Sequence, residues 1–246
     1  MKLKFILTTI FAISVYFTIF PSLYSDSNLF SSSVEAQQST LSDYEFHNYL
    51  EQMIGHLDAS IINVQSNNSG LALAHALHPI EEIVDIINNR LIQTNETLSK
   101  EFSSKLNNYV ETVRSDNINK IITDKTELEN LLNDAIAQSI SLEKRTNRDY
   151  ILNVTAELIT IASEEFNEAM LNGQIINLLE YQDGQQFINR AIMLLEESQP
   201  FLINDDKKYL DKLKEIGKDL DLQRDPSGVD MKVKDMICEI KKGFYC

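Results

Sequence analysis

Ala162-Ser-Glu-Glu-Phe-Asn-Glu-Ala-Met-Leu-Asn-Gly-Gln-Ile-Ile-Asn-Leu-Leu-Glu-Tyr-Gln-Asp-Gly-Gln-Gln-Phe187 reads as a helix, a short glycine-bearing turn and a second helix. At about 100° per residue, Ile151, Thr155, Leu158, Ala162, Phe166 and Ala169 share one face of a helix expected over 148–171. Gly184, Phe187, Ala191, Leu194 and Leu195 form the matching stripe of a helix expected over 178–198. Two amphipathic helices joined by so short a turn must bury these stripes against each other and against further helices. The fold class that follows is all-α, an antiparallel helical bundle.

The same periodicity continues outward in both directions, and only seven glycines and four prolines interrupt it. A helix over 42–64 carries Phe46, Tyr49, Leu50, Met53, Ile54, Leu57 and Ile61 on one stripe. A second runs from Gly70 to about Leu91, with Leu73, Leu77, Ile80, Val84, Ile87 and Leu91 inward and Pro79 either beginning or kinking it. Further helices are expected over 97–114, 117–143, 204–219 and 229–241. Residues 54–113 and 158–220 share a weak order of helix, Asn/Gly turn, helix, break and helix, which suggests two related three-helix units.

The N-terminus sets the expected address. Met1-Lys-Leu-Lys4, the apolar run Phe5 to Phe20 and a polar stretch ending Val34-Glu35-Ala36 have the parts of a signal peptide over 1–36. Left uncut, the apolar run is long enough to serve as an N-terminal anchor. Either way residues 37–246 are expected as an exported domain, extracytoplasmic and periplasmic, cell-surface or secreted. No later run approaches the ~18 apolar residues of a membrane helix, so any transport role is accessory. The three sequons Asn67-Asn-Ser, Asn95-Glu-Thr and Asn153-Val-Thr suit such an address. Cys238 and Cys246 are read first as a disulfide pinning the C-terminal tail, with free thiols or a two-ligand soft-metal site as alternatives.

The net charge of -15 argues against nucleic acid or anionic lipid as partners and makes cations the natural small ones. A hairpin turned at Asn172-Gly173 would bring Glu165 or Glu168 towards Glu180 and Asp183, and converging carboxylates suit a hard cation such as ferric iron or calcium. An ordinary explanation stands beside this one. Gly173 suits the C′ position that ends a helix, and Asn177-Leu-Leu-Glu180 is a capping-box arrangement with Ile176 and Tyr181 as its staple.

The run Glu165 to Asp183, with Phe187 following, resembles the extracytoplasmic N-terminal region of prokaryotic members of the Ftr-type high-affinity iron permease family. The positions that carry the resemblance are Phe166, Ala169, Gly173, Asn177, Glu180, Tyr181 and Phe187, and residues 54–113 resemble the first part of that region more loosely. The permease's membrane helices carry Arg-Glu-x-x-Glu motifs, and no arginine here is followed by glutamate. The resemblance therefore implies a stand-alone counterpart that binds or presents iron, or that docks on a permease or another envelope complex.

All four histidines, His47, His56, His75 and His78, lie in the first two helices. His75, His78 and Glu82 share a stripe opposite the apolar face, read as either a solvated polar face or an exposed second metal patch. His47 and Glu51, four apart, are further candidates if the first helix packs on that side. Glu-x-x-His, His-Glu-x-x-His, Gly-x-Ser-x-Gly and glycine-rich phosphate loops are all absent, which argues against a ferritin-like di-iron site, a zincin protease and the common hydrolase and nucleotide-binding classes. Two functions remain: a non-enzymatic exported protein of iron handling, and a structural or adaptor module of the cell envelope whose acids only cap helices.

Overall fold

Asparagine, abundant in this chain, starts half of the described α-helices. In the computed structural model, which describes residues 41–221 and 226–241, the side chains of Asn68, Asn95, Asn117, Asn147 and Asn177 each accept a hydrogen bond from a backbone N–H in the first turn of a helix. Ser42 does the same for the first helix and forms a full capping box with Glu45. Asn67 and Asp116, at φ 56° and 57°, take the left-handed positions just past two helix ends where glycine is usual, so few glycines are needed.

The helices are α1 (Asp43–Gln65), α2 (Ser69–His78), α3 (Val84–Thr94), α4 (Glu96–Arg114), α5 (Ile118–Ser139), α6 (Leu142–Arg145), α7 (Arg148–Ala169), α8 (Leu178–Glu197), α9 (Lys207–Asp221) and α10 (Pro226–Ile240). The fold is all-α as expected, apart from a hairpin of two-residue strands, β1 (Met170–Leu171) and β2 (Gln174–Ile175). The anticipated leader over 1–36 lies outside the described residues, as does Cys246, the expected partner of Cys238. No helix among the described residues is long and apolar enough to cross a membrane.

Three local expectations are corrected. The helix expected from Gly70 to Leu91 is broken: Pro79 removes one ladder donor, and the chain passes through a π turn, Pro79–Ile83, closed by Val84 N–H to Pro79 C=O. Gly173 is not a helix C′ residue. Helix α7 stops at Ala169, and Asn172 (φ 52°) with Gly173 (φ 75°) forms a two-residue β-hairpin turn, which requires positive φ at both positions. The expected start of α9 at 204 is a 3₁₀ turn, Asn204–Asp206, whose buried Asp206 takes a two-pronged bond from Arg148 at 2.6 and 2.8 Å.

Buried apolar side chains fall into two clusters. One gathers α1 to α5 around Phe46, Leu50, Phe102 and Tyr109, and the other gathers α7 to α10 around Phe166, Phe187, Ile188 and Leu213. Between them runs a buried polar seam. Helix α1 turns its apolar stripe to the first cluster and presents Asn48, Gln52, His56, Ser60 and Asn63, all under 8 % exposed, on its other side. Helix α8 answers with Asp183, Gln186 and Arg190, all buried as well.

Two glycines let these helices approach. A Cβ on Gly55 would lie 2.8 Å from the Phe187 ring, and one on Gly184 would lie 2.7 Å from the Phe166 ring and 3.0 Å from the Ala162 carbonyl oxygen. The carbonyl is fixed backbone, so Gly184→Ala is expected to push α8 off α7 and destabilise the fold by about 1–3 kcal/mol, read as a lower midpoint in urea unfolding. An unchanged midpoint would show that the approach is not tight.

Candidate metal centre

Helix α8 places Asp183 beside Gly184, where the α1–α8 and α2–α8 packing meet. Its side chain is fully buried, and three imidazoles converge on it. His56 Nδ1 on α1 lies 2.7 Å and His75 Nδ1 on α2 2.9 Å from Asp183 Oδ1, while His78 Nδ1 lies 3.0 Å from Oδ2. One ligand atom from each of the four residues falls within 4.8 Å of all the others. The rings also pack on one another: His56 and His78 meet edge to face at 5.3 Å, and His56 meets Phe187 at 5.1 Å.

Acids surround this core. Glu82, on the π turn, reaches within 3.8 Å of His56 Nε2 and 3.9 Å of His78 Nδ1, with half of its side chain in solvent. On the far side Glu165 of α7 is hydrogen-bonded to Glu180 of α8. Burial, then that bond and the charges of Glu180, Asp183 and Glu82, push the Glu165 carboxyl up to about 9, so a proton is held between the two glutamates at neutral pH. Burial would likewise raise Asp183, but the charge of His56 and the hydrogen bonds of His56, His75 and His78 outweigh it and hold Asp183 far below the usual carboxylate range. Burial alone would lower His78, but the bond to Asp183 and the charges of Asp183, Glu82 and Glu180 raise it to about 9.

The two patches anticipated separately, Glu165, Glu180 and Asp183 on one side and His75, His78 and Glu82 on the other, are therefore one cluster. Glu168 is not in it; one turn beyond Glu165 from the cluster, it faces solvent. The solvated-face reading of His75 and His78 is overturned, because they are 0 % and 8 % exposed against the polar seam. The capping reading of Glu180 is corrected as well. Asn177 caps α8 through its own side chain, its amide donates to Glu180 Oε1 at 3.4 Å, and Ile176 is 62 % exposed, too far into solvent to act as a staple.

His56 was not among the expected ligands. Its signal was present in the run Asn48, Gln52, His56, Ser60 and Asn63 at spacings of four and three, an uncharged polar stripe of the kind that faces a buried seam rather than water. His47 and Glu51 belong elsewhere. His47 Nδ1 meets the Tyr150 hydroxyl at 3.2 Å, and Glu51 accepts from Arg190 Nε and Nη2 at 2.9 and 2.7 Å.

Three imidazoles with a carboxylate form a donor set for a borderline divalent transition ion, whereas the carboxylates alone had pointed to a hard cation. The 2.7–3.0 Å between the Asp183 oxygens and the three imidazole nitrogens is hydrogen-bond spacing, so an ion would replace the protons that now join them. The ligands come from both halves of the chain, the histidines from α1 and α2 and the aspartate from α8. No curated protein and no solved structure matches the chain. The positions that carried the permease-like resemblance, Phe166 to Phe187, lie inside a family match, while residues 54–113 lie outside it. Residues 141–244, which hold α6 to α10 and supply Asp183, Glu165 and Glu180, match the family model of the iron permease-associated 4-helix bundle domain.

Proposed function

We propose that this protein is a non-enzymatic, exported component of iron uptake that binds an iron ion at His56, His75, His78 and Asp183 and acts as an accessory to a membrane iron permease. The convergence of three buried imidazoles on one buried carboxylate carries the reading. The match of residues 141–244 to the iron permease-associated 4-helix bundle family model supports the choice of iron and of partner. Nitrogen-rich ligation favours the ferrous state over the ferric, since imidazole is the softer donor. Glu82, Glu165 and Glu180 add negative charge around the cluster and attract a cation to it.

A binding role is also what the site's chemistry allows. The cluster closes on itself around Asp183, as a holding site does. Anaerobic titration of the full-length protein with Fe(II), followed by calorimetry, tests this. A single ion per chain bound with a Kd of about 1 µM or tighter, and thermal stabilisation approaching about 2.7 kcal/mol at a hundredfold excess of free ion over Kd, are expected. Binding no tighter than that of an Asp183→Asn variant would instead leave the envelope-adaptor reading, in which the histidine–aspartate cluster only joins the two cores.

A further inference from the structure

A chain of hydrogen bonds outside the cluster decides which nitrogen of His75 carries its proton. Asn63 is buried on α1, and its amide Nδ2 lies 2.9 Å from the Ala59 carbonyl oxygen. A carbonyl only accepts, so that atom of Asn63 is its NH₂ group. The second N–H of the same group is 2.9 Å from Gln182 Oε1, which fixes the glutamine amide as well: the atom facing Asn63 must be the oxygen. Gln182 Nε2 completes the pair by facing Asn63 Oδ1 at 3.5 Å.

The same Gln182 Oε1 lies 2.9 Å from His75 Nε2. An amide oxygen offers lone pairs alone, so His75 Nε2 must be the nitrogen that donates. The other nitrogen, Nδ1, is the one 2.9 Å from Asp183 Oδ1. Two atoms with lone pairs hold that distance only with a positive centre between them, a proton or a cation.

We propose that Gln182 and Asn63 are positioning residues that hold the His75 proton on Nε2, so that His75 ligates the ion through Nδ1. The inference rests on the metal-binding reading above and says how that site is set. Neither residue is placed in the ligand set; both act through His75, as outer hydrogen-bond partners of metal-bound histidines do.

The test uses the full-length protein and Zn(II), a diamagnetic probe, with ¹⁵N-labelled histidine. In the zinc-loaded protein, His75 is expected to show a protonated Nε2 and a metal-bound Nδ1. Gln182→Met keeps the length of the side chain and removes the acceptor. It is expected to weaken Zn(II) binding by about 10- to 100-fold. Gln182→Glu retains an oxygen acceptor and is expected to keep the Nε2-protonated form.

A zinc-loaded His75 bound through Nε2 overturns the inference, as does a Gln182→Met variant with unchanged zinc affinity. Wild-type protein that binds neither Zn(II) nor Fe(II) overturns the metal-binding reading itself. Should Gln182→Met disturb folding, the ¹⁵N pattern of His75 in the zinc-loaded wild type decides alone.

Discussion

Asp183→Asn is expected to lower Fe(II) affinity by about 100-fold or more and to destabilise the ion-free protein by about 3–5 kcal/mol. The side chain is isosteric, so the loss would report charge rather than shape. The carboxylate is fully buried and is the common acceptor for His56, His75 and His78. Removing it leaves the three imidazoles without their shared buried anion, with only the half-exposed Glu82 near His56 and His78, and takes one ligand from the ion.

The pH dependence of ion-free stability sharpens the same test. Asp183 is depressed in the fold, so its contribution is present above the ordinary 3.8 and is lost as pH falls below that value. His78 is raised from 6.5 to about 9, so its contribution is complete below 6.5 and is lost as pH climbs through 9. Wild-type stability, measured in the presence of a chelator, is expected to fall from this group between pH 6.5 and 9. In Asp183→Asn that decline should shrink markedly, because the principal support for the protonated imidazole is gone and only the charges of Glu82 and Glu180 remain. A decline of equal size in the variant would mean that His78 is not held by Asp183.

The second large effect is expected about two turns further along α8. Arg190 is 6 % exposed and sends two bonds to the 4 % exposed Glu51, whose carboxyl burial would raise but which His47 and Arg190 hold below its ordinary value. Arg190→Ala leaves that buried carboxylate with His47 as its remaining partner, and a loss of about 3–5 kcal/mol in urea unfolding is expected. The double variant Arg190→Met with Glu51→Leu removes both charges and should recover most of it. Equal losses in the single and double variants would show that packing, not the ion pair, dominates. Because Glu51 and Arg190 touch none of the four cluster ligands, ion binding by the double variant should persist.

Much of this architecture was legible residue by residue. Apolar spacing placed α1, α4, α5, α7 and α8 within a few residues of where they lie, because their stripes pack on large cores and periodicity is what such packing selects. The break at Pro79 was half legible: a proline in mid-helix announces a lost donor, but whether the chain kinks, restarts or widens into a π turn depends on its neighbours. Asn172-Gly173 misled, since a helix end and a β-hairpin turn use the same left-handed residues.

The site was legible in pieces. Asp183, Glu165 and Glu180 stood out by local charge, and His75, His78 and Glu82 by their shared helix stripe, yet each set read as complete in itself. What joins them is the packing of α2 against α8, a contact between residues over a hundred positions apart that no local pattern encodes. The same distance hid His56, whose polar stripe has meaning only once α8 supplies the other half of the seam. It follows that the matched domain, residues 141–244, brings the aspartate while the unmatched helices bring every histidine of the cluster.

The central claim is that a cation sits where those two parts meet. Anomalous scattering at the iron edge, from crystals of the full-length protein grown anaerobically with Fe(II), tests it most directly. One strong peak enclosed by His56, His75, His78 and Asp183 is the result this account predicts. Iron found only at surface acids such as Glu168, with the histidine–aspartate cluster empty, would contradict it.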